Sequence, residues 1–398
     1  MSARHLIVGG GLAGASAAEA IRERDPDAQV TVLGREPDPP YARPPLSKDL
    51  WFGKTTPDQV PLHPPEFWRE RRIELVTGRT ATALDPARHE VRDDAGGRWP
   101  YDRVLLATGG RPRRLAIPGG ETVLAYRTRA DWADLVRRLE GGSRRAVVVG
   151  GGFIGMELAA ALAHAGHAVT LVFPEAAPLA RVLPADLAAF VGRYYAERGV
   201  TVRAGDTLVA VEDRGRVAVT RQGARLPADV VLAGVGIDPE TALAQAAGLT
   251  LGNGIAVDEY ARASAPDVFA AGDVAEFPCV PLGRRLRIEH FDHAQHHGAA
   301  AGANMAGAAT RYDHLPFFWS DLFDLGWEAV GEVDAQLATE ATWREPHREG
   351  IVFYLRDRRI RGALLWNVWG LVDRVRALIA QGAALTPAVA EELLAPQA

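Results

Sequence analysis

Two stretches, HLIVGGGLAG (residues 5–14) and RAVVVGGGFIG (145–155), decide the fold, because each is a short apolar run ending in G-x-G-x-x-G. An Ala-rich helical pattern follows each one, ASAAEAIRER (15–24) and MELAAALAHAG (156–166). A second strand comes next, VTVLGRE (30–36) and AVTLVFPE (168–175). In this pattern the first glycine permits a tight turn, the second lets backbone approach a pyrophosphate, and the third lets helix pack on strand. The phosphates then meet unpaired N–H groups at the helix N-terminus. One such motif is often just a turn; two copies in strand–turn–helix–strand context predict two dinucleotide-binding modules.

Further buried-strand runs mark where each module closes. DRVLLATGGRP (102–112) and ADVVLAGVGIDP (228–239) both end in Gly-rich turns, and DVFAAGDVAEF (267–277) is a third run with Asp273 at its end. The predicted fold is α/β, with two Rossmann-like domains, the second inserted in the first, and a C-terminal α+β domain. The boundaries read as 1–112 with 240–315, then 113–239, then 316–398. The last segment is set apart by aromatic residues in strand-like alternation, as in IVFYLRDRRIRGALLWNV (351–368), and ends in a helical tail from Leu371 to Leu394.

Composition narrows the function. The 398 residues carry 45 basic and 50 acidic side chains, a formal net charge of -5, which argues against a general nucleic-acid binder. The one cysteine, Cys279, excludes an internal disulfide, a CxxC redox pair and a Cys-rich metal site. No stretch approaches the roughly 20 apolar residues of a membrane span, and the N-terminus lacks signal-peptide features. A soluble, cytoplasmic protein is expected. Lysine occurs only at Lys48 and Lys54 among many arginines, so each draws attention.

The two fingerprints, ATG (107–109), AAGD (270–273) and YARPPLSK (41–48) together resemble the flavoproteins with two dinucleotide-binding domains. Within them the chain is similar to the group holding NADH-dependent ferredoxin reductases of oxygenase systems and apoptosis-inducing factor. LVFPE (171–175), IEHFDHA (288–294), FFWSDL (317–322), GIVFYLRD (350–357) and LLWNV (364–368) look closer to apoptosis-inducing factor. The resemblance implies FAD in the first domain, NADH in the inserted one, and a third domain covering the flavin.

It also implies roles residue by residue. Gly9, Gly11 and Gly14 meet the FAD pyrophosphate, with Ala107, Thr108, Gly109 and Gly272 around it and Asp273 on the ribityl chain. The acid that usually closes the second strand is replaced by Arg35, so either the adjacent Glu36 holds the ribose or Arg35 bonds differently. Pro44 and Pro45 stiffen the segment carrying Lys48, since proline fixes φ and removes a donor. The resemblance places Lys48 near flavin N5, paired with Glu157, and Arg43 on FAD; an interdomain salt bridge is the plainer reading of Lys48. For NADH it implies Gly150, Gly152, Ile154, Gly155, Arg181 and Gly236, with Glu175 on the ribose hydroxyls because Phe173 occupies the usual acid position. A carboxylate there favours NADH over NADPH. Phe153 shields the flavin or is simply a core side chain, and Glu289, His290 and Trp319 frame nicotinamide and flavin.

The helix opening near His290 also carries His293, His296 and His297, a spacing that invites a metal reading, but the resemblance uses that helix otherwise and no metal is expected. The leading reaction is hydride transfer from NADH to FAD, then electrons to an acidic ferredoxin. Arg284, Arg285 and Arg287, or Arg356, Arg358, Arg359 and Arg361, could contribute a basic docking face, although a charge run is usually a solvated one. The alternative is an NADH-responsive switch with slow oxidase activity. The oligomeric expectation is a monomer or an NADH-promoted homodimer.

Overall fold

The computed structural model describes residues 2–395, which fall into two compact units. The first holds the chain up to Ala42, Asp58–Arg111 and Asp238–Pro316; the second holds Arg43–Pro57, Pro112–Ile237 and everything from Phe317 on. The segment bearing Lys48, read from sequence as part of the first domain, thus groups with the inserted domain and the C-terminal one.

The first unit is built on a five-stranded parallel sheet. Its order is Val268–Ala270, Arg103–Leu106, Arg4–Val8, Gln29–Leu33, Ile73–Val76. The outermost strand comes from residue 268, so the chain returns to this sheet after the insertion. Strands covered on both faces read as continuous apolar runs, which is why HLIV and RVLL show no alternation. The helix Leu12–Arg24 packs against the helix Phe291–Met305 at backbone range. A Cβ on Gly298 or Gly302 would stand 2.3 and 2.2 Å from the carbonyl oxygens of Ala13 and Ala17. Small residues four apart on both helices therefore permit the close crossing.

The second unit repeats the plan with a parallel sheet ordered Thr201–Ala204, Ala168–Phe173, Arg145–Val149, Val230–Ala233, Leu124–Ala125. It also contains a five-stranded antiparallel sheet, ordered Phe317–Leu322, Leu325–Gly331, Arg359–Trp366, Glu349–Arg356, Ala338–Glu345. Trp327 and Trp366 are directly opposed across two of those strands and stack with centroids 5.0 Å apart, both fully buried. Asp324 ties this sheet to the helix Ala185–Glu197 and the turn after it. It accepts from Tyr194, from Arg198 at 2.7 Å and from Arg348 at 2.9 Å. Burial works against its charge, yet these donors hold its carboxyl down at about 2. The expected helical tail is two helices, Val372–Ala380 and Pro387–Leu394. Gly382, at φ +60, ends the first, and Pro387 opens the second after the Thr386 cap.

Candidate functional site

Two glycine cradles are built alike, one in each unit. Gly9 and Gly150 have φ of +129 and +118, a region that favours glycine, and a Cβ on either would stand 2.1 or 2.4 Å from a backbone oxygen. Gly14 and Gly155 press their helices onto the turn, where a Cβ would meet the Gly9 or Gly150 carbonyl oxygen at 2.0 or 1.9 Å. Gly11 and Gly152 differ: each caps its helix with no side-chain hydrogen bond, and nothing lies within 4 Å of where a Cβ would stand. Neither helix has an acidic residue in its first turn. Open space beside an uncapped helix N-terminus is what a pyrophosphate requires, so both cradles fit a dinucleotide.

Around the first cradle the Gly-Asp turn packs tightly, since a Cβ on Gly272 (φ +73) would lie 2.8 Å from Ala13 Cβ. Arg287 donates to the Asp273 carbonyl at 3.0 Å and pairs with Glu289 at 2.7 Å. Thr108 donates to the Glu240 carbonyl at 2.7 Å, fixing the ATG turn. Glu36 is half-buried and accepts from the Tyr41 hydroxyl, whereas Arg35 is exposed. His290 caps the helix Phe291–Met305, and burial pushes its imidazole down to about 4.

At the second cradle, the residue at the usual acid position is a core side chain. Phe173 is fully buried and packs so closely on Gly151 that a Cβ there would sit 2.8 Å from the ring. Glu175 lies two residues beyond the strand, 3.6 Å from the exposed guanidinium of Arg181. Gly236, at φ +91, accepts from the Arg113 amide at 3.0 Å. Ile154 is 41% exposed, and half-buried Phe153 meets Phe318 edge-on at 5.0 Å.

The second unit also brings together Lys48, Glu157 and Trp319, with three residues that sequence reasoning missed: Ser47, Ser320 and Asp321. Pro44–Leu46 forms one 3-10 turn, and the Leu46 carbonyl accepts from Tyr126 and from Trp51 at 2.8 Å. That pins the lysine's segment. Lys48 Nζ lies 3.2 Å from Glu157 Oε1, and both side chains are buried. Ser320 donates to Oε1 and Ser47 to Oε2, each at 2.6 Å. Burial drives the Glu157 carboxyl upward from the ordinary range, while Lys48, Ser320 and Ser47 work against it. Lys48 also lies 3.3 Å from Asp321 Oδ2, donates to the Trp319 carbonyl at 3.4 Å, and stands 5.5 Å from the Trp319 ring centre. Arg43, expected on FAD, donates to the Arg127 carbonyl at 3.0 Å.

The histidines of the Phe291–Met305 helix fall into two groups, with the His293 and His297 rings 4.8 Å apart. His293 and His297 point inward onto Phe277 and Tyr312, and His293 bonds the Tyr312 hydroxyl at 3.0 Å. Among the described residues, Asp292, His296 and His314 bring ligand-type atoms within 4.8 Å of one another. The rings of His296 and His314 stack 4.0 Å apart and 12° from parallel. Among the described residues neither ring nitrogen of fully buried His297 has a hydrogen-bond partner, and burial pushes its imidazole down to about 3. An unfolded histidine titrates near 6.5. Stability is therefore complete above that pH and is lost as pH falls towards 3, because the unfolded chain takes up a proton the fold refuses. His297→Phe is expected to raise stability at neutral pH by about 1–2 kcal/mol. It should also flatten the decline in melting temperature between neutral and mildly acidic pH, as calorimetry would show.

The arginine runs proposed for docking are largely engaged within their own units. Arg285 donates to the Val257 and Glu276 carbonyls, and Arg287 is nearly buried against Glu289. Arg356 and Arg361 both pair with buried Glu332, and Arg358 faces Glu340 at 3.5 Å. These contacts come from hairpin geometry that charge counting does not reveal.

Among the described residues no helix is long and apolar enough to cross a membrane. Residues 3–298 match the pyridine nucleotide-disulphide oxidoreductase family, and residues 301–349 match the C-terminal region of mitochondrion-associated apoptosis-inducing factor. The chain is 38% identical over 362 residues to the ferredoxin reductase subunit of 5,5'-dehydrodivanillate O-demethylase from a Sphingobium species, covering 89% of this chain and 88% of the relative. It is 37% identical over 388 residues to the ferredoxin–NAD(+) reductase component of an anthranilate 1,2-dioxygenase system from Burkholderia cepacia, covering 96% and 95%. Putidaredoxin reductase in its covalent complex with putidaredoxin superposes with a TM-score of 0.90 at 31% identity, covering 97% of this chain and 95% of that one.

Proposed function

The chain belongs to the pyridine nucleotide-disulphide oxidoreductase family as an NAD(H)-dependent flavoprotein oxidoreductase using FAD, and we propose that it passes electrons from NADH to a ferredoxin. The observation that carries this reading is the pair of open glycine cradles, one per unit, in a chain with a single buried cysteine. With Cys279 alone and inaccessible, no redox-active disulfide can form within the chain, so electrons must leave to a separate acceptor. Full-length likeness to reductases of oxygenase systems supports a ferredoxin as that acceptor. The alternative of an NADH-responsive switch draws on the match over residues 301–349 and is the weaker reading. A cytoplasmic location belongs to the same proposal, since NADH and ferredoxins meet there.

When bound, FAD accepts hydride from NADH and can release electrons singly, which suits a one-electron iron–sulphur acceptor. The chain's own residues bind, orient and supply charge. Gly9, Gly11, Gly14 and the Leu12–Arg24 helix N-terminus hold the FAD pyrophosphate, with Glu36 and Asp273 on its hydroxyls. Gly150, Gly152, Gly155 and the Phe153–His164 helix do the same for NADH. Lys48, held beside Glu157 and Asp321, would offer positive charge to the flavin as it gains electrons. Phe153 and Trp319 would supply aromatic faces for the cofactor rings.

Glu175 selects against a 2′-phosphate by like-charge repulsion, and Arg181 beside it tempers that selection. Glu175→Ser is expected to narrow the preference for NADH over NADPH in kcat/KM by roughly tenfold, the equivalent of ~1.4 kcal/mol. An unmoved ratio would place ribose recognition elsewhere.

The broader test is steady-state turnover of the FAD-loaded protein with NADH and a panel of two-iron ferredoxins, quinones and dyes, alongside oligomer size with and without NADH. Ferredoxin reduction at the rate of flavin turnover supports the proposal. Negligible turnover with every acceptor, together with an NADH-driven change in size, favours the switch.

A further inference from the structure

Lys48 has more partners than its resemblance-derived role provides for. An ammonium carries three N–H donors and no acceptor. Three oxygens surround this one: Glu157 Oε1 at 3.2 Å, Asp321 Oδ2 at 3.3 Å and the Trp319 carbonyl at 3.4 Å. One of these contacts is a hydrogen bond and two are ion pairs, so Lys48 can reach anything further only by loosening one of them.

The three are not equally releasable. Glu157 is buried, and its oxygens are held by Ser47 and Ser320, so its carboxylate cannot follow or turn away. Stripping Lys48 from it would strand a buried charge. The Trp319 carbonyl belongs to the backbone of the edge strand Phe317–Leu322 and is fixed by the sheet. Asp321 lies two residues further along the same strand, and its side chain is 42% exposed. Water can replace Lys48 there, which makes it a weakly held partner.

We propose that Asp321 is a positioning residue for Lys48: its carboxylate pairs with the ammonium, sets where the ammonium points, and is the partner exchanged when Lys48 turns to another acceptor. The inference rests on the reading that Lys48 acts on the flavin, but its primary test does not. It also gives the cluster a charge count, two carboxylates around one ammonium, that Glu157 alone does not.

With only two lysines in the chain, Lys54 is an exposed internal standard for amine chemistry. The experiment acylates the FAD-loaded protein with a small amine-reactive ester and follows the Lys48:Lys54 modification ratio by mass spectrometry. Asp321→Asn is expected to raise that ratio roughly tenfold by removing one of the carboxylates paired with the ammonium, and Asp321→Glu to keep it near the starting value. Equal melting temperatures for the variants exclude general loosening; Asp321→Ser, which also lacks the carboxylate, serves if the Asn variant folds poorly. A ratio unchanged in the carboxylate-free variants overturns the proposal. Flavin reduction by NADH is measured on the same proteins and should accelerate about threefold to tenfold in Asp321→Asn, as one of the two carboxylates opposing the Lys48 charge is removed. A changed labelling ratio with an unchanged reduction rate keeps Asp321 as the holder of Lys48 and overturns the flavin role of Lys48 instead.

Discussion

Lys48→Ala is expected to slow reduction of the bound flavin by NADH roughly a hundredfold, the scale lost when one pre-organised donor is removed from a reacting centre. The same substitution leaves Glu157 buried without its cation, which costs about 3–5 kcal/mol of stability. Rate and stability must therefore be separated. In the double variant Lys48→Met with Glu157→Gln, the buried charges go together, and such replacements are often neutral or stabilising. The double variant should recover the melting temperature of the parent while remaining as slow as Lys48→Ala. Stopped-flow reduction and thermal unfolding, run on both proteins, check this. If the double variant recovers speed as well as stability, the pair is a structural tie and Lys48 has no part in the chemistry.

The second large effect comes from the open glycines. Gly11 and Gly152 sit at ordinary backbone angles, with φ of -89 and -88, and a methyl group on either meets no protein atom. Gly11→Ala and Gly152→Ala should fold as the parent does. Each places a methyl group where a pyrophosphate must approach, and such overpacking costs about 1–3 kcal/mol, or about fivefold to more than a hundredfold in affinity. Gly11→Ala is expected to lose FAD during purification. Gly152→Ala should stay yellow and be reduced by dithionite, yet show a raised KM for NADH. The reverse pattern would exchange the cofactors between cradles. Gly14→Ala and Gly155→Ala cannot replace this test, because their methyl groups would strike the Gly9 and Gly150 carbonyls and damage the fold itself.

What could be read from the chain alone follows from how local each signal is. The fingerprints are local: glycine spacing, strand and helix lie within about twenty residues, so both cradles and the interruption of one sheet by the other were legible. Gly298 and Gly302, four apart, are visible in sequence, but their meeting with Ala13 and Ala17 on a helix at the other end of the first unit's sequence is not. The lysine site is of the same kind. Ser47, Ser320 and Asp321 acquire meaning only when the edge strand Phe317–Leu322 is brought to a helix and a proline-stiffened turn far away in sequence. Ser320 is fully buried within a strand, which alternation alone does not mark. For the arginine runs, charge is visible in sequence but the carboxylates and carbonyls that pair with it are not.

The most direct test of the central claim is anaerobic and stepwise. The FAD-loaded protein is reduced with one equivalent of NADH and then mixed rapidly with excess oxidised two-iron ferredoxin, while flavin and iron–sulphur absorbance are followed together. The account predicts that the flavin reoxidises within the time of one catalytic turnover as two ferredoxins are reduced per NADH consumed. A flavin that stays reduced for minutes in the presence of oxidised ferredoxin, with no iron–sulphur bleaching, would contradict it.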